Sequence, residues 1–166
     1  NYLTGELKNY PDQEELLYSR ALMADRMNKL DVMEADLRKI LAKSPDNVEA
    51  LNALGYSLAD KTTRYSESET FLLHALRLKP DEPVILDSYG WLKYKTGKYQ
   101  TALDYLQRAY DKQPETEIAA HLAEVLWVMG RKDEAKKLFD KAIEKAPGDV
   151  FLLNFKNKFL LQNSSK

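Results

Sequence analysis

KSPDN at 43–47, LKPDE at 78–82, KQPET at 112–116 and KAPGD at 145–149 are four versions of one boundary. Together with Pro11 their prolines form a ruler: Pro11, Pro45, Pro80, Pro114 and Pro147 stand 34, 35, 34 and 33 residues apart. Proline has no amide hydrogen to give a helix interior, and its ring clashes with the preceding turn. An evenly spaced series therefore marks where helices must stop. Only Pro83 falls outside the series, and it too lies in a boundary.

Each interval has room for two helices. In the third, residues 83–96 and 99–112 both carry apolar residues at helical spacing, and Gly97 suits the left-handed residue that ends the first of them. Gly130 does the same one unit later. Superposed on their prolines, the units align small residues at Ala21, Gly55, Gly90 and Ala123 on the first helix. A second small series runs through Ser68, Ala102 and Ala135, and a third through Ala75, Ala109 and Ala142. Met33 and Ile40 replace the small residues in the first unit, where looser packing is expected. Small side chains let antiparallel helices approach, while Leu37, Leu72, Leu106 and Phe139 fill the space between hairpins. The second unit carries one extra residue in its inter-helix turn, 60–64.

This pattern of small and large residues with a closing proline at a period near 34 resembles the tetratricopeptide repeat (TPR). The resemblance covers nearly the whole chain, although Lys93 stands where the family often has an aromatic. It implies an all-α right-handed superhelix in one continuous array. Residues 1–13 would hold the second helix of a truncated repeat, 14–47, 48–82, 83–115 and 116–148 four complete hairpins, and 149–166 a capping helix and tail. In that cap, FLLNFKNKFLL at 151–161 forms one apolar stripe with Leu152, Phe155 and Phe159. Phe151, Leu153, Leu160 and Leu161 extend the apolar surface beyond it, toward a partner or a second copy of the chain.

Composition narrows the function. Of 166 residues 44% are hydrophobic and 31% charged, a globular mixture, and 25 Lys plus Arg against 26 Asp plus Glu create no field that attracts nucleic acid or anionic lipid. With no cysteine there is no disulfide, thiolate nucleophile or sulfur-ligated metal. The chain starts at Asn1 without a basic-then-apolar leader, so it reads as a fragment whose targeting signal and membrane anchor are expected upstream.

No catalytic constellation emerges, and no cofactor is expected. The glycines are scattered at turns and crossings rather than grouped before a helix to cradle phosphate. The serines lack a histidine base. His74 and His121 share no helix, and although Glu117 and Glu124 lie one turn either side of His121, no metal site is expected. Glu34 with Arg38, Asp104 with Arg108 and Asp133 with Lys137 have the four-residue spacing of solvated ion pairs.

What remains is recognition. All five phenylalanines lie on second helices or the cap, whereas Tyr18, Tyr56, Trp91, Tyr94 and Trp127 lie on first helices, which line the concave face of such hairpins. Tyrosine and tryptophan tolerate a half-wet surface and dominate binding hot spots. The expected protein-binding groove takes Trp91, Tyr94 and Trp127 as central anchors, with Tyr18 and Tyr56 beside them and Asn52, Asp87, Lys95 and Glu124 for polar contacts. The competing reading packs these rings between repeats. The Lys, Arg and Asn clamp with which some family members hold a chaperone's C-terminal carboxylates is incomplete, since the nearest positions are Tyr18, Leu22, Asn52 and Tyr56.

Three stretches are more particular: NALGYSLADKTTRYSESE at 52–69, ILDSYGWLKYKTGKYQTAL at 85–103 and AAHLAEVLWVMGRKDEA at 119–135. They resemble the C-terminal part of proteobacterial TPR lipoproteins. That resemblance implies the periplasmic face of the outer membrane and a role as envelope adaptor or assembly factor. It also implies partners such as a carboxyl-terminal processing protease and cell-wall hydrolases. A cytoplasmic TPR co-chaperone or regulatory module and the substrate-recruiting arm of a larger enzyme are the alternatives.

Overall fold

The computed structural model describes residues 4–5 and 13–162, and no strand occurs among them. The helix expected over 2–8, apart from Thr4 and Gly5, lies outside the described residues, as does Pro11. The chain divides into two compact units, Asn1–Asp81 and Glu82–Lys166. The first contains α1 (Glu14–Arg26), α2 (Leu30–Lys43), α3 (Val48–Lys61) and α4 (Tyr65–Leu78). The second contains α5 (Pro83–Lys95), α6 (Tyr99–Lys112), α7 (Thr116–Val128), α8 (Lys132–Lys145) and α9 (Val150–Phe155), which runs into a π-helical turn, Lys156–Leu160.

The boundaries act as the prolines require. Asn47 caps α3 by accepting a hydrogen bond from the Ala50 amide at 3.0 Å, and Asp149 caps α9 through the Phe151 and Leu152 amides. Pro83 sits in the first turn of α5, where its missing amide hydrogen costs nothing. The turns inside the hairpins differ in a way the sequence only half reveals. Gly97 (φ 79°) and Gly130 (φ 83°) end α5 and α7 in the left-handed region, and Asn28 (φ 57°) takes that place after α1. In all three the next amide reaches back five residues, as from Lys98 to the Lys93 carbonyl at 2.8 Å. After α3 no such residue is used. The extra residue lengthens α3 to 14 residues against 13 for α1, and Thr62 Oγ1 closes the turn by accepting from the Arg64 amide.

The small residues sit at the crossings. A Cβ on Gly55 would lie 2.6 Å from Leu72 Cγ, and one on Gly90 would lie 2.8 Å from Leu106 Cγ. Ser68, fully buried, donates its hydroxyl to the Gly55 carbonyl at 2.6 Å and so ties α4 to α3. Met33 and Ile40 are buried too, so the larger side chains of the first hairpin are taken into its core. That core joins Leu17, Ala21, Leu37, Ile40, Leu54 and Leu58, with Arg20 donating from Nη2 and Nε to the two oxygens of buried Asp36 at 2.6 and 2.7 Å. The second unit has its own core, from Leu106 and Leu122 through Phe139 to Leu152 and Phe155 of the cap.

The cap departs from a regular helix over 151–161. After Phe155 the turn widens, and the Leu161 amide bonds back five residues to the Lys156 carbonyl at 3.0 Å. Leu160, expected on an outer apolar surface, packs against the core, and Leu153 is half-buried. Phe151 and Leu161 remain outside, 37% and 51% exposed.

Candidate protein-binding face

Polar side chains one repeat apart meet on neighbouring first helices of the second unit. Asp87 on α5 and His121 on α7 are 34 residues apart, and His121 Nδ1 lies 2.9 and 3.1 Å from the two Asp87 carboxylate oxygens. Glu124 on α7 is likewise 34 residues from Lys158 of the cap, with Nζ to Oε1 at 2.6 Å. Both pairs follow from the period: once hairpins stack in register, residues a repeat apart become lateral neighbours. Asp87, His121 and Glu124 are 4%, 6% and 7% exposed, so each polar group is taken from water and held by its partner.

The aromatic residues build on this polar row. Trp91 stacks on His121 with ring centroids 4.1 Å apart and planes 20° apart, and touches Tyr94 at 4.8 Å. Lys95 holds its ammonium 5.7 Å from the Trp91 ring centroid. At 6% exposure Trp91 is a structural member of this face rather than a free anchor. Tyr94 is half-buried and hydrogen-bonded with Glu124. Burial first, then the Glu124 charge, pushes its phenol above the usual tyrosine value. Trp127 is also half-buried, against Phe155 at 6.2 Å and Phe159 at 6.0 Å of the cap, with Lys132 over its ring at 5.1 Å. What this face presents to solvent is thus exposed Lys95 and the open parts of Tyr94 and Trp127.

The first unit carries Tyr18, Asn52 and Tyr56, all half-buried. Burial, reinforced by Glu49, raises the Tyr18 phenol. Asn52 Oδ1 is enclosed and has no hydrogen-bond partner among the described residues, an acceptor ready for a donor. On the same unit Asp25 takes Ser57 Oγ at 2.9 Å and Lys61 Nζ at 3.0 Å, again joining successive first helices.

Four-residue spacing accounts for some surface pairs and misses others. Arg38 does reach Glu34 at 2.9 Å, but Arg64, 30 residues away, binds the same carboxylate with two nitrogens. With Glu67 these residues form one exposed network, and Arg64 and Arg38 hold the Glu34 carboxyl down at about 2. Asp104 accepts from Gln100 at 3.0 Å, and Arg108 lies over the Tyr105 ring. His121 likewise has more company than its own helix supplies: Asp87, Glu117 and His121 bring ligand atoms within 4.8 Å of one another. A search for pairs spaced by the repeat length would have found Asp87. No helix is long and apolar enough to cross a membrane among the described residues.

Comparison with known proteins agrees with this architecture. A family model described as tetratricopeptide repeat matches residues 94–153. A TPR repeat-containing protein of Pseudomonas aeruginosa is 52% identical over 118 residues, 71% of this chain, and the chain spans 20% of that relative's length. A protein O-mannosyl-transferase of Drosophila melanogaster is 31% identical over 87 residues, 52% of this chain and 9% of that protein. Among solved structures, a thermophilic TPR protein of Thermus thermophilus superposes with a TM-score of 0.82 at 23% identity, covering 95% of this chain and 87% of that one. Repeats of this family are scaffolds that bind other proteins or peptides. With its proline-bounded hairpins, small-residue crossings and these relatives, the chain belongs to the tetratricopeptide repeat family.

Proposed function

We propose that this chain is the recognition segment of a longer envelope adaptor, docking partner segments on the first-helix face of its repeats. The observation that carries the site is the arrangement on the second unit. The buried Asp87–His121 pair holds Trp91 by stacking, and the open sides of Tyr94, Trp127 and Lys95 stand beside it. Rigid aromatic surface beside a cation suits an extended or helical peptide read through apolar and acidic side chains. The envelope role is supported by the wording of residues 52–69, 85–103 and 119–135, which resembles periplasmic TPR lipoproteins. On that reading the full-length protein is anchored in the outer membrane from upstream, and its partners include a processing protease and cell-wall hydrolases.

Pull-down from envelope extract, comparing wild type with a Tyr94→Ala, Lys95→Glu double variant of unchanged circular dichroism, tests the site. Loss of the recovered partner supports it, and equal recovery refutes the choice of face. A full-length reading frame opening on a signal peptide with a cysteine just past its cleavage site supports the compartment; a leaderless start removes it. The similarity to a mannosyl-transferase favours a second reading, in which such repeats are the recruiting arm of an enzyme. A catalytic domain in the same reading frame would select it.

A further inference from the structure

We propose that Asp87, Glu117 and His121 form a site for one divalent transition-metal ion of the zinc class. Their ligand atoms already lie within 4.8 Å of one another. A tetrahedral ion with bonds of about 2.0–2.1 Å sets its donors roughly 3.4 Å apart, so an ion bound at His121 Nδ1 replaces the proton of the 2.9 Å bond to Asp87, opens that pair by about 0.5 Å and draws Glu117 in. Glu117 and His121 are four residues apart on α7, the spacing that turns two side chains to one face of a helix. Asp87 arrives from α5, delivered by the repeat period.

Charge favours an ion here. Two carboxylates share one imidazole, so the set stays negative whether or not the ring is protonated, and Asp87 and His121 are nearly shut off from water. A divalent ion with a neutral imidazole brings the set to zero. The ring is also held: Trp91 stacks on it at 4.1 Å, fixing the plane in which its nitrogens point. A donor set of one nitrogen and two oxygens suits zinc and its neighbours better than calcium or magnesium, which take oxygen alone. Three protein ligands leave at least one position open beside half-exposed Glu117, for water or for a ligand from another protein.

The test requires no partner, so its outcome is separate from that of the docking face. Chelator-treated protein is titrated with zinc chloride by calorimetry, and with cobalt(II) while its visible absorption is recorded. Wild type is expected to take up one ion per chain. Glu117→Gln and His121→Asn should each weaken uptake by about tenfold or more, and His74→Gln should leave it unchanged. Glu117→Gln is decisive if the buried variant unfolds, because Glu117 is only half-buried. No uptake by wild type, equal uptake by the folded Glu117→Gln variant, or a loss confined to His74→Gln would overturn the site.

Discussion

Replacing Gly55 by alanine should destabilise the protein, although helix propensity alone points the other way. Alanine in a helix interior is favoured over glycine by about 1 kcal/mol. The new Cβ, however, would meet Leu72 Cγ at 2.6 Å and Cδ2 at 2.7 Å, with the Ser68 carbonyl at 3.3 Å. Leu72 is fully buried, and the Ser68–Gly55 hydrogen bond keeps α3 and α4 from separating. Overpacking of this kind costs about 1–3 kcal/mol, and a site with so little room belongs in the upper half, leaving a net loss of about 1–2 kcal/mol. With a urea slope of about 2 kcal/mol per molar, the midpoint should fall by about 0.5–1 M. Urea titration followed by circular dichroism at the helix band reads this directly, with Gly148→Ala, which meets nothing within 4 Å, as the neutral control. In a Leu72→Ala background the sign should reverse, since the clash is gone and the propensity gain remains. A midpoint for Gly55→Ala at or above that of wild type would refute the close-approach reading.

Trp91→Ala should cost about 3–5 kcal/mol by opening a cavity beside His121, and a loss under about 1 kcal/mol in urea titration would return Trp91 to the role of free anchor. Asn28→Ala should lower the melting temperature, reflecting about 1 kcal/mol, while Asn28→Gly holds or raises it, because Asn28 sits at φ 57°. Equal melting of the two variants would contradict this. Glu34, ordinarily near 4.5, is held at about 2 in the folded state, so the unfolded chain binds the extra proton between these values. The stability it contributes is full above its ordinary value and is lost as pH falls toward 2. For so exposed a network this amounts to about 1 kcal/mol or less, weakened by salt. Glu34→Gln should flatten the acid limb of the melting-temperature profile, and parallel profiles would refute the network.

The helices were legible because proline and helical periodicity are local signals. The spacing predicts helices over 83–96 and 99–112, and α5 and α6 end within one residue of those limits. Gly97 and Gly130 announced their turns, whereas Asn28 went unnoticed because asparagine reaches the left-handed region without being committed to it. The widened turn after Phe155 has no sequence signal, since it reflects how the cap seats its aromatic rings. The face was half legible. Residue type and helix placed Trp91, Tyr94 and Trp127 on the correct helices, but not how deep each ring sits, which depends on neighbours a repeat away. The four-residue spacing around His121 points only along its own helix and carries no sign of Asp87, one repeat away.

Such lateral bonds turn the order of the hairpins into information. The acid at Glu124 is answered by the base at Lys158, so each rung is chemically addressed to the one that follows. If the segment 116–148 were copied in tandem by recombination, the residue 34 positions beyond the original Glu124 would be the copy's Val125 instead of Lys158, leaving a carboxylate only 7% exposed without its cation. An array of this kind can lengthen only where a compensating change travels with the copy, which makes its number of rungs heritable as well as its shape.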